Sequence, residues 1–200
     1  GDWIIIDNDG GTTWGANAID FTNESYVGSG IVFNYPLVAQ GSGTVAWNTY
    51  EGNQGLYFFA SGAGQTPVIP NDDWMISPEF TVDGVSSLQL TFWAKSITDQ
   101  YGLERLSVYV NDVNTSNPDP ATFVELTQSP YVEVPTEWTQ YQFDLSQFEG
   151  YTTPIRIALH YQSNDAFALQ MDSFKVEGTL STFEFELDNF NYSYNPNTQI

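Results

Sequence analysis

Residues 86–95 read SSLQLTFWAK, and from Ser87 onward apolar and polar side chains alternate, with Trp93 as the one large apolar residue on the polar face. Successive side chains of a β-strand point to opposite faces of the sheet, so one face of this segment is apolar and the other largely polar. The alternation predicts a half-buried strand. The apolar face carries Leu88, Leu90, Phe92 and Ala94, and the opposite face carries Gln89, Thr91, Trp93 and Lys95.

Three further stretches repeat this period of two: residues 104–111 (ERLSVYVN), 138–145 (WTQYQFDL) and 154–162 (PIRIALHYQ). Turn clusters separate them, and no window combines a helical apolar stripe with capping residues. A single helical turn is expected at residues 119–123 (DPATF), where Asp119 can cap. The pattern predicts an all-β fold in which two antiparallel sheets pack face to face as a β-sandwich.

Residues 167–178 (FALQMDSFKVEG) interrupt the alternation once. Up to Met171 every second residue is apolar, but the next apolar residue is Phe174, so the phase slips by one position at Asp172 and Ser173. An extra residue in one strand of an antiparallel pair is the usual cause of such a slip. The sequence therefore predicts a β-bulge or a bend at Asp172.

The composition favours a folded, strongly acidic protein. The 200 residues include 25 acids against 4 lysines and arginines, for a formal net charge of −21, so nucleic acid and anionic membranes are repelled and cations or basic partners are attracted. Only 14% of residues are charged while 41% are hydrophobic, which is too much apolar material for a disordered acidic chain. The absence of cysteine excludes disulfides, thiol chemistry and zinc–thiolate sites. No apolar run reaches membrane-spanning length, and we expect no membrane insertion.

The sequence offers little for catalysis. The single histidine, His160, lies in the middle of a predicted strand and no G-x-S-x-G motif is present, which argues against a Ser-His-Asp arrangement. The alternative that stays open is a glycoside hydrolase, which needs two carboxylates facing each other across a cleft. The acids near predicted strand ends that could serve are Asp72, Asp73, Asp99, Glu104 and Glu149.

Residues 7–11 (DNDGG) suggest calcium. Asp7 and Asp9 supply carboxylates at alternate positions, and the two glycines permit a tight turn that exposes backbone carbonyls, which suits a hard cation. The segment is not an EF-hand, because the third acid and the later bidentate glutamate are missing. An acidic turn without a metal remains the alternative.

Four separated segments together resemble the cleaved-adhesin domain, the jelly-roll module repeated in the haemagglutinin regions of gingipains. They are DWIIIDNDGGTTW (2–14), DDWMISPEF (72–80), LTFWAKS (90–96) and PIRIALHYQSNDAFALQMDSFKV (154–176). The resemblance covers roughly residues 2–178. It implies a jelly-roll sandwich with a structural calcium ion that joins the two ends of the domain. The implied calcium ligands are Asp7, Asp9 and Asp172.

The chain departs from the family pattern in three ways. The family loop often has a further aspartate where Gly11 stands, and a second aspartate where Ser173 stands. The Phe/Glu-rich first strand that usually precedes the opening tryptophan is also missing. One calcium ligand could therefore be replaced by a carbonyl oxygen or water.

The end of the chain resembles a second module. Residues 181–197 (STFEFELDNFNYSYNPN) are similar to the entry of a C-terminal sorting domain of the type IX secretion system, with a shifted Tyr-Pro-Asn-Pro turn at 194–197. The expected organisation is a jelly-roll domain over 1–178 and a linker with the truncated start of a sorting domain over 179–200. This resemblance implies secretion or attachment to the bacterial surface. A disordered acidic linker is the alternative.

These features predict a non-catalytic adhesion module that binds a glycan or an extracellular protein, as a monomer. A carbohydrate-active accessory module, a hydrolase and a purely structural spacer are the alternatives. The glycine-rich residues 28–70 are expected to hold one or two short strands within long loops, where binding residues commonly lie. Candidate contact residues there are Trp47, Tyr50, Tyr57 and Phe59, with core packing as the alternative for at least two of them.

Overall fold

The computed structural model describes residues 3–39, 45–112 and 115–180. Within them the fold is an all-β sandwich of jelly-roll type, as the sequence predicts. Of the predicted linker and sorting-domain segment, residues 179–200, the first two residues end the last strand, and 181–200 lie outside the described residues. The strands are β1 (Ile4–Asp7), β2 (Ile31–Asn34), β3 (Gln54–Phe59), β4 (Asp73–Ile76), β5 (Val85–Ser96), β6 (Glu104–Asn111), β7 (Val124–Glu125), β8 (Val132–Val134), β9 (Thr139–Asp144), β10 (Arg156–Tyr161) and β11 (Ala168–Leu180).

The strands form two antiparallel sheets. Sheet 1 has the order β1-β4-β10-β6-β7, and β8 also pairs with β6. Sheet 2 has the order β2-β3-β11-β5-β9. Strand β11, which comes last in the sequence, therefore lies in the centre of sheet 2. Helical structure in the described residues is limited to one α-helical turn, Tyr35–Val38, and the 3₁₀ turns Val45–Trp47, Pro120–Thr122 and Ser146–Phe148. None of these helices is long and apolar enough to cross a lipid bilayer.

The strand predictions are confirmed. The stretch 86–95 forms β5, the long strand that pairs with β9 and β11, and 104–111 forms β6 with the predicted bounds. The register of β11 against β5 shifts between Asp172 and Lys175, which is the predicted bulge. Asp119 caps the turn that follows it by accepting a hydrogen bond from the backbone N–H of Ala121 at 3.0 Å.

The main core fills the space between the two sheets. The apolar face of β5 is buried there, and the alternate residues of β10 meet it from sheet 1. Burying large aliphatic side chains stabilises a fold by about 1.5–3 kcal/mol each, so this layer supplies most of the driving force. Its central members are Leu88, Leu90, Phe92, Ala94, Ile155, Ile157, Leu159 and Tyr161.

A second apolar cluster covers part of the outer face of sheet 2. Residues 16–39 and 46–47 supply most of the side chains that pack there with the outward side chains of β3 and β11. Trp47 stacks near both Tyr57 and Phe59, with ring centroids 6.1 and 6.0 Å away. The outer faces of β5 and β9 lie beyond this cover, so that half of sheet 2 remains accessible.

Candidate functional site

Three carboxylates converge where β1 ends and β4 begins. Asp7 is the last residue of β1 and pairs in register with Asp73, the first residue of β4. Asp9 follows in the next turn. One carboxylate oxygen from each lies within 4.8 Å of the others. The pairing of β1 with β4 thus brings Asp7 and Asp73, which are 66 positions apart in the sequence, into one cluster.

Backbone N–H groups hold two of the carboxylates in place. Asp7 Oδ1 accepts from Gly10 at 2.7 Å, and Asp9 Oδ1 accepts from Gly11 at 2.7 Å. Gly10 has a φ of +61°, which favours glycine. A Cβ atom at Gly11 would lie 2.5 Å from Asp9 Oδ1 and 2.7 Å from Ser61 Cβ. The aspartate that the family often carries at this position therefore does not fit this loop.

Asp73 is the buried member of the cluster, with 2% of its surface exposed. Its Oδ2 accepts from the side-chain amide of Asn71 at 2.8 Å, while its Oδ1 is buried without a hydrogen-bond partner. Burial is the main cause that raises the pKa of Asp73 to about 8; the hydrogen bond from Asn71 opposes it, and nearby acids including Asp9 add to it. An unpaired buried carboxylate oxygen is costly unless a proton or a cation satisfies it.

The structure brings Asp7 and Asp9 of the implied calcium ligands together, but it does not bring Asp172 to this cluster. Asp172 lies at the bulge of β11 in sheet 2, whereas Asp7 lies on sheet 1. Asp172 Oδ2 accepts from the backbone N–H groups of Tyr50 at 2.9 Å and Glu51 at 3.1 Å. Its oxygens are therefore used to fix the turn at residues 50–51. The third acid of the cluster is Asp73.

That turn completes an aromatic cluster on the outer face of sheet 2. The ring of Tyr50 stacks on Trp93 with centroids 4.1 Å apart and planes inclined by 14°. Trp138, just before β9, contacts Tyr50 edge-on at 5.7 Å, and Lys95 Nζ lies 5.4 Å from the Trp138 ring centroid. Tyr50 is 42% exposed. The cluster thus presents aromatic surface to solvent from three separate parts of the chain.

Polar side chains extend from this cluster along the same face. Cross-strand neighbours share a face, and Trp93 lies opposite Gln140 while Thr91 lies opposite Gln142. Gln142 donates to Gln89 at 2.8 Å, beside a shallow cavity of about 260 Å³. At about 3.3 Å per residue, the face from Ser87 to Trp93 is roughly 20 Å long. The cavity is lined by Ser87, Gln89, Glu177, Gly178 and Thr179.

A larger groove of about 590 Å³ opens between the edge strands β1 and β2. Its lining is mostly apolar, with Ile5, Leu56 and Met171 among its walls. A glycan buries hydroxyl groups that need hydrogen-bond partners, and leaving them unpaired costs free energy. The polar outer face of sheet 2 therefore suits a glycan better than this groove does.

Three of the four aromatic contact candidates are buried, which agrees with core packing as the alternative for at least two of them. Trp47, Tyr57 and Phe59 are each at most 3% exposed, because they pack together in the second apolar cluster on the outer face of sheet 2. Of the four, only Tyr50 is exposed. Trp93 and Trp138, which pack with Tyr50, were not among the candidates. The signal for Trp93 is its place on the polar face of the 86–95 alternation, where a large aromatic side chain is unusual.

Four of the five acids considered for hydrolysis have structural partners, and the fifth, Asp99, is exposed. Glu104 is fully buried, and it accepts from the Tyr161 hydroxyl at 2.6 Å and the Phe167 N–H at 2.7 Å. Glu149 accepts from the backbone N–H of Leu88. Asp72 bonds to His160 at 2.9 Å.

His160 itself has the structural role expected of a residue on a sheet face. Its ring stacks on Trp74 at 4.0 Å, and burial is the main cause that lowers its pKa. A lowered pKa keeps the imidazole neutral and suits packing against an indole ring.

Comparisons with known proteins identify solved structures that have a similar fold. No family model and no curated protein matches the chain. Among solved structures, the K1 cleaved adhesin domain of Lys-gingipain from Porphyromonas gingivalis W83 is 21% identical, with a TM-score of 0.56 over 88% of this chain and 90% of that one. The K2 domain of Lys-gingipain is 15% identical, with a TM-score of 0.54 over 88% and 89%.

A carbohydrate-binding module also matches. TmCBM61, solved in complex with beta-1,4-galactotriose, is 12% identical, with a TM-score of 0.51 over 88% of each chain. At these identities the likeness concerns the fold. The resemblance to the cleaved-adhesin domain is confirmed at that level: the chain has the fold of the gingipain cleaved adhesin domains.

Proposed function

We propose that this chain is a non-catalytic glycan-binding module of a secreted or surface-attached bacterial protein. The observation that carries the proposal is the aromatic cluster of Tyr50, Trp93 and Trp138 on the accessible half of sheet 2. The side chains of Gln89, Gln140 and Gln142 lie beside it on the same face. Rigid aromatic faces and a few placed polar groups are the usual components of a ligand site.

The chemistry of this face matches that of a neutral sugar. Aromatic rings offer large apolar surface to the C–H faces of a pyranose, and side-chain amides both donate and accept hydrogen bonds for its hydroxyls. The net charge of −21 does not repel a neutral glycan. A face roughly 20 Å long, estimated from the strand rise, favours an oligosaccharide over a single sugar.

The outer face of sheet 2 is best tested with a glycan array followed by calorimetric titration. Beta-1,4-galactotriose is the first oligosaccharide to titrate, because it is bound by a protein of the same fold. We expect Tyr50→Ala and Trp138→Ala to weaken binding of any array hit by about tenfold or more, a loss of about 1.4 kcal/mol. Tyr151→Ala, which removes another exposed tyrosine, should leave binding unchanged. If the protein binds no glycan on the array, or if all variants bind equally well, the proposal is contradicted.

We also propose that Asp7, Asp9 and Asp73 hold a structural calcium ion. The donor set consists of carboxylate oxygens on a glycine-containing loop, which calcium prefers. The buried, unpartnered Oδ1 of Asp73 supports the fit, because a cation there would satisfy it. Bound calcium would offset the repulsion among these carboxylates and strengthen the junction between β1 and β4. This role is structural and separate from glycan recognition.

A further inference from the structure

A second aromatic pocket lies beyond the C-terminal end of β5, at the opposite end of the strand from Ser87. Its walls are Trp14, Tyr101 and Phe167, and Asp165 and Ala166 complete the lining. The cavity measures about 350 Å³, which is at the small end of the range for ligand sites. None of these residues belongs to the calcium cluster or to the aromatic cluster on sheet 2.

The backbone fixes two of the three aromatic walls relative to each other. The N–H of Trp14 donates to the carbonyl of Ala60 at 2.9 Å, and the N–H of Ala60 donates to the carbonyl of Phe167 at 2.9 Å. The N–H of Phe167 in turn donates to the fully buried carboxylate of Glu104 at 2.7 Å. The pocket is therefore supported from the protein interior.

The ring of Tyr101, the third aromatic wall, is inclined to the ring of Phe167. Tyr101 lies in the turn closed by the Gly102 N–H to Asp99 hydrogen bond, and it is 57% exposed. Its ring centroid is 6.3 Å from that of Phe167, and the two planes are inclined by 55°. Inclined rings form a corner that encloses a compact group, whereas a sugar stacks best on one flat face.

The charges around the pocket favour a cation. The acid Asp165 is among the lining residues, within a protein of net charge −21. All four basic side chains of the chain lie elsewhere. Arg105 packs over Tyr131, Arg156 pairs with Glu79, Lys95 lies over Trp138 and Lys175 is exposed on sheet 2.

Hydrogen-bonding capacity separates a sugar from an ammonium group. Ala166 and Phe167 have no polar side-chain atoms and the Asp165 carboxylate can only accept, so Trp14 and Tyr101 carry the only side-chain donors of this lining. A sugar enclosed here would therefore leave some of its hydroxyls unpaired. A quaternary ammonium group has no hydrogen to donate, and it gains from aromatic faces and a nearby carboxylate. We propose that this pocket binds a quaternary or methylated ammonium group, such as the head group of choline.

The probe is choline, followed by NMR of the isotope-labelled protein. Choline should shift the indole N–H signal of Trp14 in a saturable manner. The neutral carbon analogue of choline, 3,3-dimethylbutan-1-ol, should bind about tenfold more weakly, because it has the same shape without the charge. No shift with choline, equal binding of the neutral analogue, or a saturable shift of Trp14 by an oligosaccharide overturns the proposal.

Variants show whether choline binds in this pocket, and they separate the contribution of the aromatic ring from that of the carboxylate charge. Tyr101→Ala should weaken choline binding by about tenfold, while Tyr101→Phe keeps the aromatic face and should retain it. Asp165 has a φ of +51°, a conformation that asparagine also tolerates, so Asp165→Asn removes the charge without straining the backbone. We expect that variant to bind choline several-fold more weakly.

Tyr151→Ala, at the opposite end of β5, should bind like the wild type. Unchanged choline affinity in both Tyr101→Ala and Asp165→Asn contradicts the assignment. These outcomes are independent of glycan binding on sheet 2.

Discussion

Asp73 combines burial with an unpartnered carboxylate oxygen, and its neutral variant tests the calcium proposal. Wild-type protein should melt at a higher temperature in calcium than in chelator. At ten times the dissociation constant, calcium adds about 1.4 kcal/mol, or roughly 3–6 °C for a domain of this size. Asp73→Asn keeps the shape of the side chain and removes its charge. We expect it to lose most of this shift in a thermal unfolding experiment.

Asp172→Ala is the matched control, because the structure assigns this acid to the turn at Tyr50 instead of the calcium cluster. It should keep the full calcium shift and weaken glycan binding, since the turn loses two hydrogen bonds. The opposite result, a lost calcium shift in Asp172→Ala and a normal one in Asp73→Asn, would show that calcium joins the two ends of the domain after all.

Glu104 gives the fold a predictable pH dependence. Burial is the main cause that raises its pKa, and the hydrogen bonds from Tyr161 and Phe167 only partly oppose it. Because the folded state holds a proton that the unfolded state releases, this residue makes the free energy of unfolding fall as pH rises above the ordinary glutamate pKa.

Glu104→Gln cannot titrate, and its amide oxygen can still accept from Phe167. Denaturant unfolding of both proteins at a pH near the ordinary glutamate pKa of about 4.3 and at a mildly alkaline pH measures the effect. Between these two pH values, the free energy of unfolding should fall less for Glu104→Gln than for the wild type. An equal loss in both proteins would show that Glu104 is ionised throughout.

At the scale of single residues, the sequence indicates two of the three clustered acids. Asp7 and Asp9 are recognisable from the DNDGG loop, whereas Asp73 requires the pairing of β1 with β4. The slip at Asp172 correctly predicts a bulge. It does not reveal which backbone groups the carboxylate meets, because Tyr50 and Glu51 come from a loop about 120 positions away.

Among the structural elements, residues 45–50 show why aromatic residues on loops are hard to interpret. Tyr50 is 42% exposed, while Trp47 faces Tyr57 and Phe59 and is 3% exposed. The structure therefore gives Trp47 a packing role, and the proposed glycan site would use Tyr50. We expect Trp47→Ala to lower the free energy of unfolding by about 3–5 kcal/mol, as truncation of a buried aromatic residue usually does.

Tyr50→Ala should change the free energy of unfolding much less, because its ring is only partly buried. Denaturant titrations of the two variants give the comparison. If Trp47→Ala unfolds like the wild type yet no longer binds glycan, the packing role assigned to Trp47 is wrong.

The strands were predictable where one face is buried and the other is polar, as in β5. The alternation fixes the period and the buried face, and residues 86–95 and 104–111 form strands close to the predicted bounds. The cover over β3 was not predictable, because both faces of β3 are apolar and alternation cannot show which of two cores a side chain joins.

At the scale of the whole molecule, the sandwich keeps the three proposed sites apart. The acidic cluster proposed to hold calcium lies at the β1–β4 junction of sheet 1, and the proposed glycan face lies on the outer side of sheet 2. The pocket proposed for an ammonium group lies beyond the end of β5. This separation explains why one mutation should impair one property without the others. The sandwich class follows from composition and periodicity, whereas these positions depend on strand order.

The six tryptophans report directly on the central claim, that glycans bind the open half of sheet 2. Each indole N–H gives one NMR signal, and the residues lie in different parts of the fold. Titration with a glycan identified on the array should shift the signals of Trp93 and Trp138 in a saturable manner and leave those of Trp3 and Trp74 in place. Saturable shifts confined to other tryptophans, with Trp93 and Trp138 unmoved, would contradict the account.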